Sequence, residues 1–160
     1  VFHEYIGGLL RDVSCVDGDR GGDTLPEIPR RKVDAEPIWE KVLRIDPLAA
    51  HVYDGCAEIH FPIHSSAAFA HSVGLPGILY QGVATLSLAV REIINMEAQG
   101  DPRRVRATGC LFTGMVFPDS DITVRALTRE TGEGLNHIHF CVLNARGKPA
   151  VRNGHVALAC

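Results

Sequence analysis

Apolar positions along the chain change their period more than once. Over 83–96 they stand on nearly every face of a helical wheel: Val83, Ala84, Leu86, Leu88, Ala89, Val90, Ile93 and Ile94. That pattern predicts a helix buried on most sides, opening at Gly82. Its small residues, Ala84, Ser87 and Ala89, would let a sheet come close. Beyond it the chain reads as strands and turns. Residues 105–117 alternate around two glycines, and 122–128, 137–143 and 151–158 read as further strands. Turn residues separate them at 118–121, at Gly132-Glu133-Gly134 and at 144–148. Ahead of the long helix, 38–45 reads as a strand. Asp46 and Pro47 then suit the start of a short helix over 48–53, closed by Gly55. Pro62 forbids a continuous helix over 55–65, which reads mostly as loop. Ser65 or Ser66 caps a second short helix over 67–72, ended by Gly74, and 75–81 reads as extended.

Successive strands with short turns imply an antiparallel meander. A meander beside one buried helix must curl around it, which is the hot-dog arrangement, an α+β fold. An open sheet leaves an edge, so a homodimer or higher homo-oligomer is expected. Residues 1–36 carry a glycine and charge cluster over 17–23, then Pro26 and Pro29. They read as an irregular segment or linker with at most a short strand over 9–16, leaving one domain over 37–160. The chain opens on Val1 rather than Met, and we expect it to be a piece of something longer.

Composition narrows the classes. In 160 residues, 46% are apolar and 22% charged, too apolar for a disordered chain. Sixteen basic against 19 acidic residues give a net charge of −3, which argues against a nucleic-acid partner. No apolar run approaches the roughly 20 residues of a membrane-spanning helix, so no membrane partner is expected. Residues 1–10 do not form a targeting signal. Five scattered cysteines (Cys15, Cys56, Cys110, Cys141, Cys160) include no C-x-x-C pair, which fits reduced thiols in a cytoplasm. Cys110 and Cys141 sit among apolar neighbours and read as small core residues.

Three stretches then point one way: Phe61-Pro62-Ile63-His64, Ala67-Ala68-Phe69-Ala70, and Gly74-Leu75-Pro76-Gly77-Ile78-Leu79-Tyr80-Gln81-Gly82 running into the helix. Together they resemble the MaoC-like dehydratases, which include the (R)-specific enoyl-CoA hydratases. The family pattern is Asp-x-Asn-Pro-aliphatic-His, a short helix, then an aromatic stretch ending in His-Gly at the hot-dog helix. Residues 111–118 and 144–148 are similar to that family's strands, so the resemblance covers about 38–159. It implies a hydro-lyase that adds water to a 2-enoyl thioester or removes it from a 3-hydroxyacyl thioester, carried by coenzyme A. It further implies an Asp–His catalytic pair and a backbone N–H at the helix start that binds the thioester oxygen. The chain departs from the pattern at known places. The motif His is His64; counted without gaps, Ile59 and Phe61 stand at the Asp and Asn positions, and Gln81 stands at the His before the helix glycine. A one-residue insertion would put Glu58 and His60 in the Asp and Asn places, and Asp54 is a further carboxylate candidate.

Hydration needs a base for water, an acid for the α-carbon and a preset donor for the enolate oxygen. Imidazole titrates near neutrality and serves as either acid or base, so His64 is the catalytic candidate, with Glu58 or Asp54 as its carboxylate. Gly82 is the oxyanion candidate: it has no side chain and opens a helix. Gln81, Tyr80, Tyr53 and His60 would line the substrate pocket. No cofactor is expected. Cys56, His60 and His64 stand four apart, but Pro62 breaks the helix that would align them, and His137 and His139 lack a third ligand, so no metal is expected either. Arg103, Arg104 and Arg106 offer cations for coenzyme A phosphates. The substrate expected is thus an acyl-CoA thioester. An alternative is a non-catalytic acyl-binding half that pairs with a second hot-dog unit. A hot-dog thioesterase ranks lowest, because Glu92 lies near the far end of the helix.

Overall fold

The computed structural model describes residues 2–8, 13–14, 16–18 and 36–160. The short strand expected over 9–16, together with Cys15, lies largely outside the described residues. From residue 36 the order is β1 (Trp39–Ile45), α1 (Ala49–Ala57), a 3₁₀ turn (Pro62–His64), α2 (Ala67–Ser72) and α3 (Gly82–Glu97). A second 3₁₀ turn (Pro102–Arg104), β2 (Val105–Phe112), β3 (Ser120–Gly132), β4 (Leu135–Asn144) and β5 (Pro149–Ala159) follow.

The strands form one antiparallel sheet in the order β1-β3-β4-β5-β2. The expected meander holds for β3, β4 and β5, joined by the turn at Glu133-Gly134 and by a turn in which Asn144 Oδ1 accepts from the N–H groups of Arg146 and Lys148. It fails for β2. That strand crosses to the far edge and pairs with β5 rather than with its sequence neighbour β3. Beyond β2 the chain stays with other partners: Thr113 N–H donates to Ala150 O at 2.9 Å, and Val116 O accepts from Tyr80 N–H at 2.8 Å. Alternate residues of the middle strands then share a face: Ile122, Val124 and Ala126 on β3, Ile138, Phe140 and Val142 on β4, Val156 and Leu158 on β5. They join Ala84, Ala89 and Ile93 of α3 in one core. This is the hot-dog arrangement.

Local signals explain most element ends. Ser66 Oγ accepts from Phe69 N at 3.2 Å and caps α2, as expected. Asp46 Oδ1 accepts from Leu48 N at 2.8 Å, one residue outside α1. Gly55, however, does not end α1. The helix runs through it to Ala57, and Glu58 in the left-handed region (φ 54°) makes the stop. The long helix also departs from expectation. One side is buried through Ala84, Thr85, Ala89, Glu92 and Ile93, whereas Val83, Ser87, Arg91, Asn95 and Met96 are exposed. A single sheet covers a single face, so an apolar periphery does not by itself enclose a helix.

Two glutamates hold α3 to the sheet. Glu92, buried, accepts from Lys41 Nζ of β1 at 2.7 Å and from Arg91 Nε at 2.8 Å. Glu97 accepts from Trp39 Nε1 of β1 at 2.7 Å and from Arg129 of β3 at 2.8 Å. A buried carboxylate is tolerable only with such partners. Both groups hold a proton less tightly than an ordinary glutamate. At Glu92 the Lys41 hydrogen bond is the main cause, with burial opposing and Arg91 helping. At Glu97 burial is the largest influence and pulls the other way, but Arg129 and Trp39 together outweigh it.

Two outcomes follow for stability. A lowered folded value means that the contribution is complete above the unfolded value, about 4.3, and is lost as pH falls through the folded value. Denaturant titrations should therefore show the parent losing more stability between pH about 5 and about 3 than the Glu97→Gln variant does. In the sheet, a Cβ on Gly154 would lie 2.6 Å from the ring of Phe140, a fully buried side chain. Gly154→Ala should cost about 1–3 kcal/mol by overpacking, read from the urea midpoint. An unchanged midpoint would mean that the ring does not rest on Gly154.

Candidate functional site

The site is assembled around one extended segment, residues 79–82, where it enters α3. Pro62 sets the first turn of the 3₁₀ segment that presents His64. The segment docks on that turn twice. Leu79 N–H donates to Ile63 O at 3.0 Å, and His64 Nδ1 lies 2.9 Å from Leu79 O. A carbonyl oxygen only accepts, so Nδ1 is the protonated ring nitrogen and Nε2 carries the lone pair in the neutral ring. The half-buried ring also meets Phe61 edge-on, at 5.9 Å between centroids.

Tyr80 follows, with its N–H donating to Val116 O at 2.8 Å. Its hydroxyl is pushed up from the usual tyrosine range by burial and by the nearby phenol of Tyr53, with Arg91 opposing. Tyr53 itself is half-buried and packs on the core from α1. Gln81 is next and is 3% exposed. Its Nε2 donates to Ala50 O of α1 at 2.9 Å and to Asp54 Oδ1 of α1 at 2.5 Å. Asp54, 7% exposed, is thus brought to the head of α3 by a contact spanning 27 residues of sequence.

Gly82 begins α3. The first backbone bond of the helix runs from Thr85 N to Gln81 O at 3.0 Å, so the N–H groups of Gly82, Val83 and Ala84 have no acceptor inside the helix. These amides and the helix dipole favour negative charge. A Cβ at Gly82 would lie 3.1 Å from the ring of Phe112, at the end of β2. The bare glycine therefore relieves a tight approach between ring and backbone.

The other sequence candidates separate from this group. Glu58 ends α1 as an exposed left-handed residue, and His60 is exposed beyond it. Glu92 is held in its ion pairs under the helix. Arg103 pairs with Asp101, Arg104 Nε donates to Ala159 O, and Arg106 donates to Arg103 O. Among the described residues no group of three or more His, Cys, Asp or Glu side chains is disposed to hold a metal ion. His137 and His139 meet a neighbour across the strands. A third ring, His155 of β5, stands beside them, and His139 is buried rather than facing solvent. His137 Nδ1 lies 3.0 Å from His155 Nε2 with the ring planes 11° apart, an imidazole–imidazole hydrogen bond. Cys110 and Cys141 are core residues as expected, their thiols pushed up to about 11 by burial. What sequence reasoning missed was the Asp54–Gln81 pairing. Its one local sign was a carboxylate near a helix C-terminus, where the dipole gives it no support.

With this geometry in place, the comparisons are direct. A family model described as a MaoC-like domain matches residues 30–145. The chain belongs to the MaoC-like domain family. It is 30% identical over 122 residues to a peroxisomal enoyl-CoA hydratase 2 of Arabidopsis thaliana, covering 76% of this chain and 37% of that protein. It is 37% identical over 81 residues to a fatty acid synthase subunit beta of Aspergillus oryzae, covering 49% of this chain and 4% of the subunit. The chain therefore spans a minor part of both relatives. Among solved structures, a MaoC-like dehydratase from Phytophthora capsici superposes with a TM-score of 0.75 at 22% identity, covering 84% of this chain and 44% of that one, which is a likeness of fold.

Proposed function

We propose that the chain is a hydro-lyase domain acting on a 2-enoyl or 3-hydroxyacyl thioester, with coenzyme A as the acyl carrier. The observation that carries the reading is the His64 Nδ1 to Leu79 O contact of 2.9 Å. It leaves Nε2 as a base next to the head of a helix whose first amides are open. In the addition direction Nε2 takes one proton from water as the water oxygen bonds to the β-carbon. The electron pair of the double bond moves toward the α-carbon and the thioester oxygen, where the Gly82 N–H receives the developing charge. The α-carbon then takes the proton back from the imidazolium. One water is added, the ring is reset and no redox partner is needed. Elimination is the same path reversed.

Tyr53, Tyr80 and Gln81 would line the acyl-binding side, and His60 would stand at its rim. The outer strands β1 and β2, unpaired on one side among the described residues, and the exposed stripe of α3, with Val83 and Met96, favour assembly as a homodimer or against a second hot-dog unit. No helix is long and apolar enough to cross a membrane among the described residues. A cytoplasmic location is the reading the cysteine chemistry favours, although the plant relative carries a peroxisomal name.

A second reading is a non-catalytic acyl-binding half. Ile59 and Phe61 at the family's Asp and Asn positions, and the 37% span of the plant relative, favour it. Crotonyl-CoA hydration followed by ultraviolet absorbance separates the two. On the catalytic reading the chain turns over, and His64→Ala lowers kcat by about 10²–10⁴-fold. The lost side-chain hydrogen bond should cost only about 1 kcal/mol in melting experiments. Turnover untouched by His64→Ala would remove the residue from the chemistry. Tight acyl-CoA binding with no turnover by the parent would favour the binding half.

A further inference from the structure

We propose that Asp54, a carboxylate supplied by α1, stands in for the one missing at Ile59 and accepts the second hydrogen of the attacking water, with Gln81 as its positioning residue. The assignment rests on the hydratase reading of His64. Three observations lead to it. First, imidazole, carboxylate and open amide are all tied to one span of backbone: His64 through Leu79 O, Asp54 through the Gln81 side chain, and the amide at Gly82 itself. Three extended residues reach about 10 Å at most, which bounds the spacing of the backbone points that anchor the three groups.

Second, the Gln81 amide is oriented by its surroundings. Its nitrogen faces two acceptors, Ala50 O and Asp54 Oδ1, and its Oε1 is buried with no hydrogen-bond partner among the described residues. Turning the amide over would set an oxygen against both acceptors. The N–H groups therefore hold Asp54 Oδ1 as an acceptor, at the cost of an Oε1 that evenly placed partners would have paired. Third, the carboxylates of α3 are engaged and Glu58 is exposed. Glu92 and Glu97 are engaged by Lys41, Arg91, Arg129 and Trp39, and Glu58 is exposed past the end of α1.

In the reaction, the water gives one proton to His64 Nε2 while its other hydrogen bonds to Asp54. The carboxylate aims the oxygen lone pair at the β-carbon and opposes the charge that forms on the imidazolium. Asp54 gains no proton, so the balance of the addition is unchanged.

The test is crotonyl-CoA hydration by the 160-residue chain and its variants across pH. Asp54→Asn keeps the side-chain shape and still accepts from Gln81, and circular dichroism checks the fold. It should lower kcat by about 100-fold. Gln81→Met should lower kcat by about tenfold and should add no further loss to Asp54→Asn, because the two act as one unit. Undiminished rate in Asp54→Asn, with His64→Ala inert, would overturn the Asp54 assignment and leave the hydratase reading standing. Rate loss in Glu58→Gln but not in Asp54→Asn would overturn it too. A parent chain inert toward the enoyl thioester would instead overturn the hydratase reading, and the assignment with it.

Discussion

The backbone of residues 79–82 is the constraint on which the site depends. Leu79 meets the Pro62–His64 turn through both its N–H and its carbonyl, Tyr80 bonds Val116, and Gln81 reaches into α1. Each such bond contributes about 0.5–1.5 kcal/mol net, so no single one fixes the site. Their combined effect is geometric. A short stretch that would otherwise be a flexible connection becomes rigid, because elements far apart in sequence all close on it. The head of α3 inherits that rigidity, and with it the direction in which its open amides point.

Behind this segment, the sheet and helix divide the work between apolar and charged contacts. Near the head of α3 the helix rests on the sheet through small residues, Ala84 and Ala89, that allow close approach. Toward its end the ion pairs of Glu92 and Glu97 join it to β1 and β3. The two glutamates of α3 are thus both committed to partners away from Gly82. A charge left unpaired there would disturb both the imidazole and the developing enolate. The same division weakens the thioesterase alternative, since the helix carboxylate it calls for is already committed to Lys41 and Arg91.

Much of the fold was legible because its signals are local. The cap at Ser66, the turn at Asn144–Gly147 and the start of α3 at Gly82 each depend on residues within a few positions of one another. Non-local features were not legible. The place of β2 at the far edge depends on its pairing with β5, some forty positions on, and nothing within β2 announces it. The end of α1 was misread because Gly55 is an ordinary stop signal, whereas Glu58 reaches a left-handed conformation that few non-glycine residues take. Of the site, His64 and Gly82 were readable from the motif they resemble. The bond between Asp54 and Gln81 joins two polar residues 27 apart, and each alone looks like a surface residue. His155 escaped for the same reason: only strand register sets it beside His137 and His139.

The central claim is that residues 79–82 hold His64 with its proton on Nδ1 and its lone pair on Nε2. Long-range proton–nitrogen NMR correlation on histidine-labelled protein, above the pH at which the ring is charged, reads this directly. The account predicts a protonated Nδ1 and a bare Nε2 for His64, with the pattern lost when the Leu79 carbonyl contact is disturbed. A ring carrying its proton on Nε2, with Nδ1 bare, would contradict it.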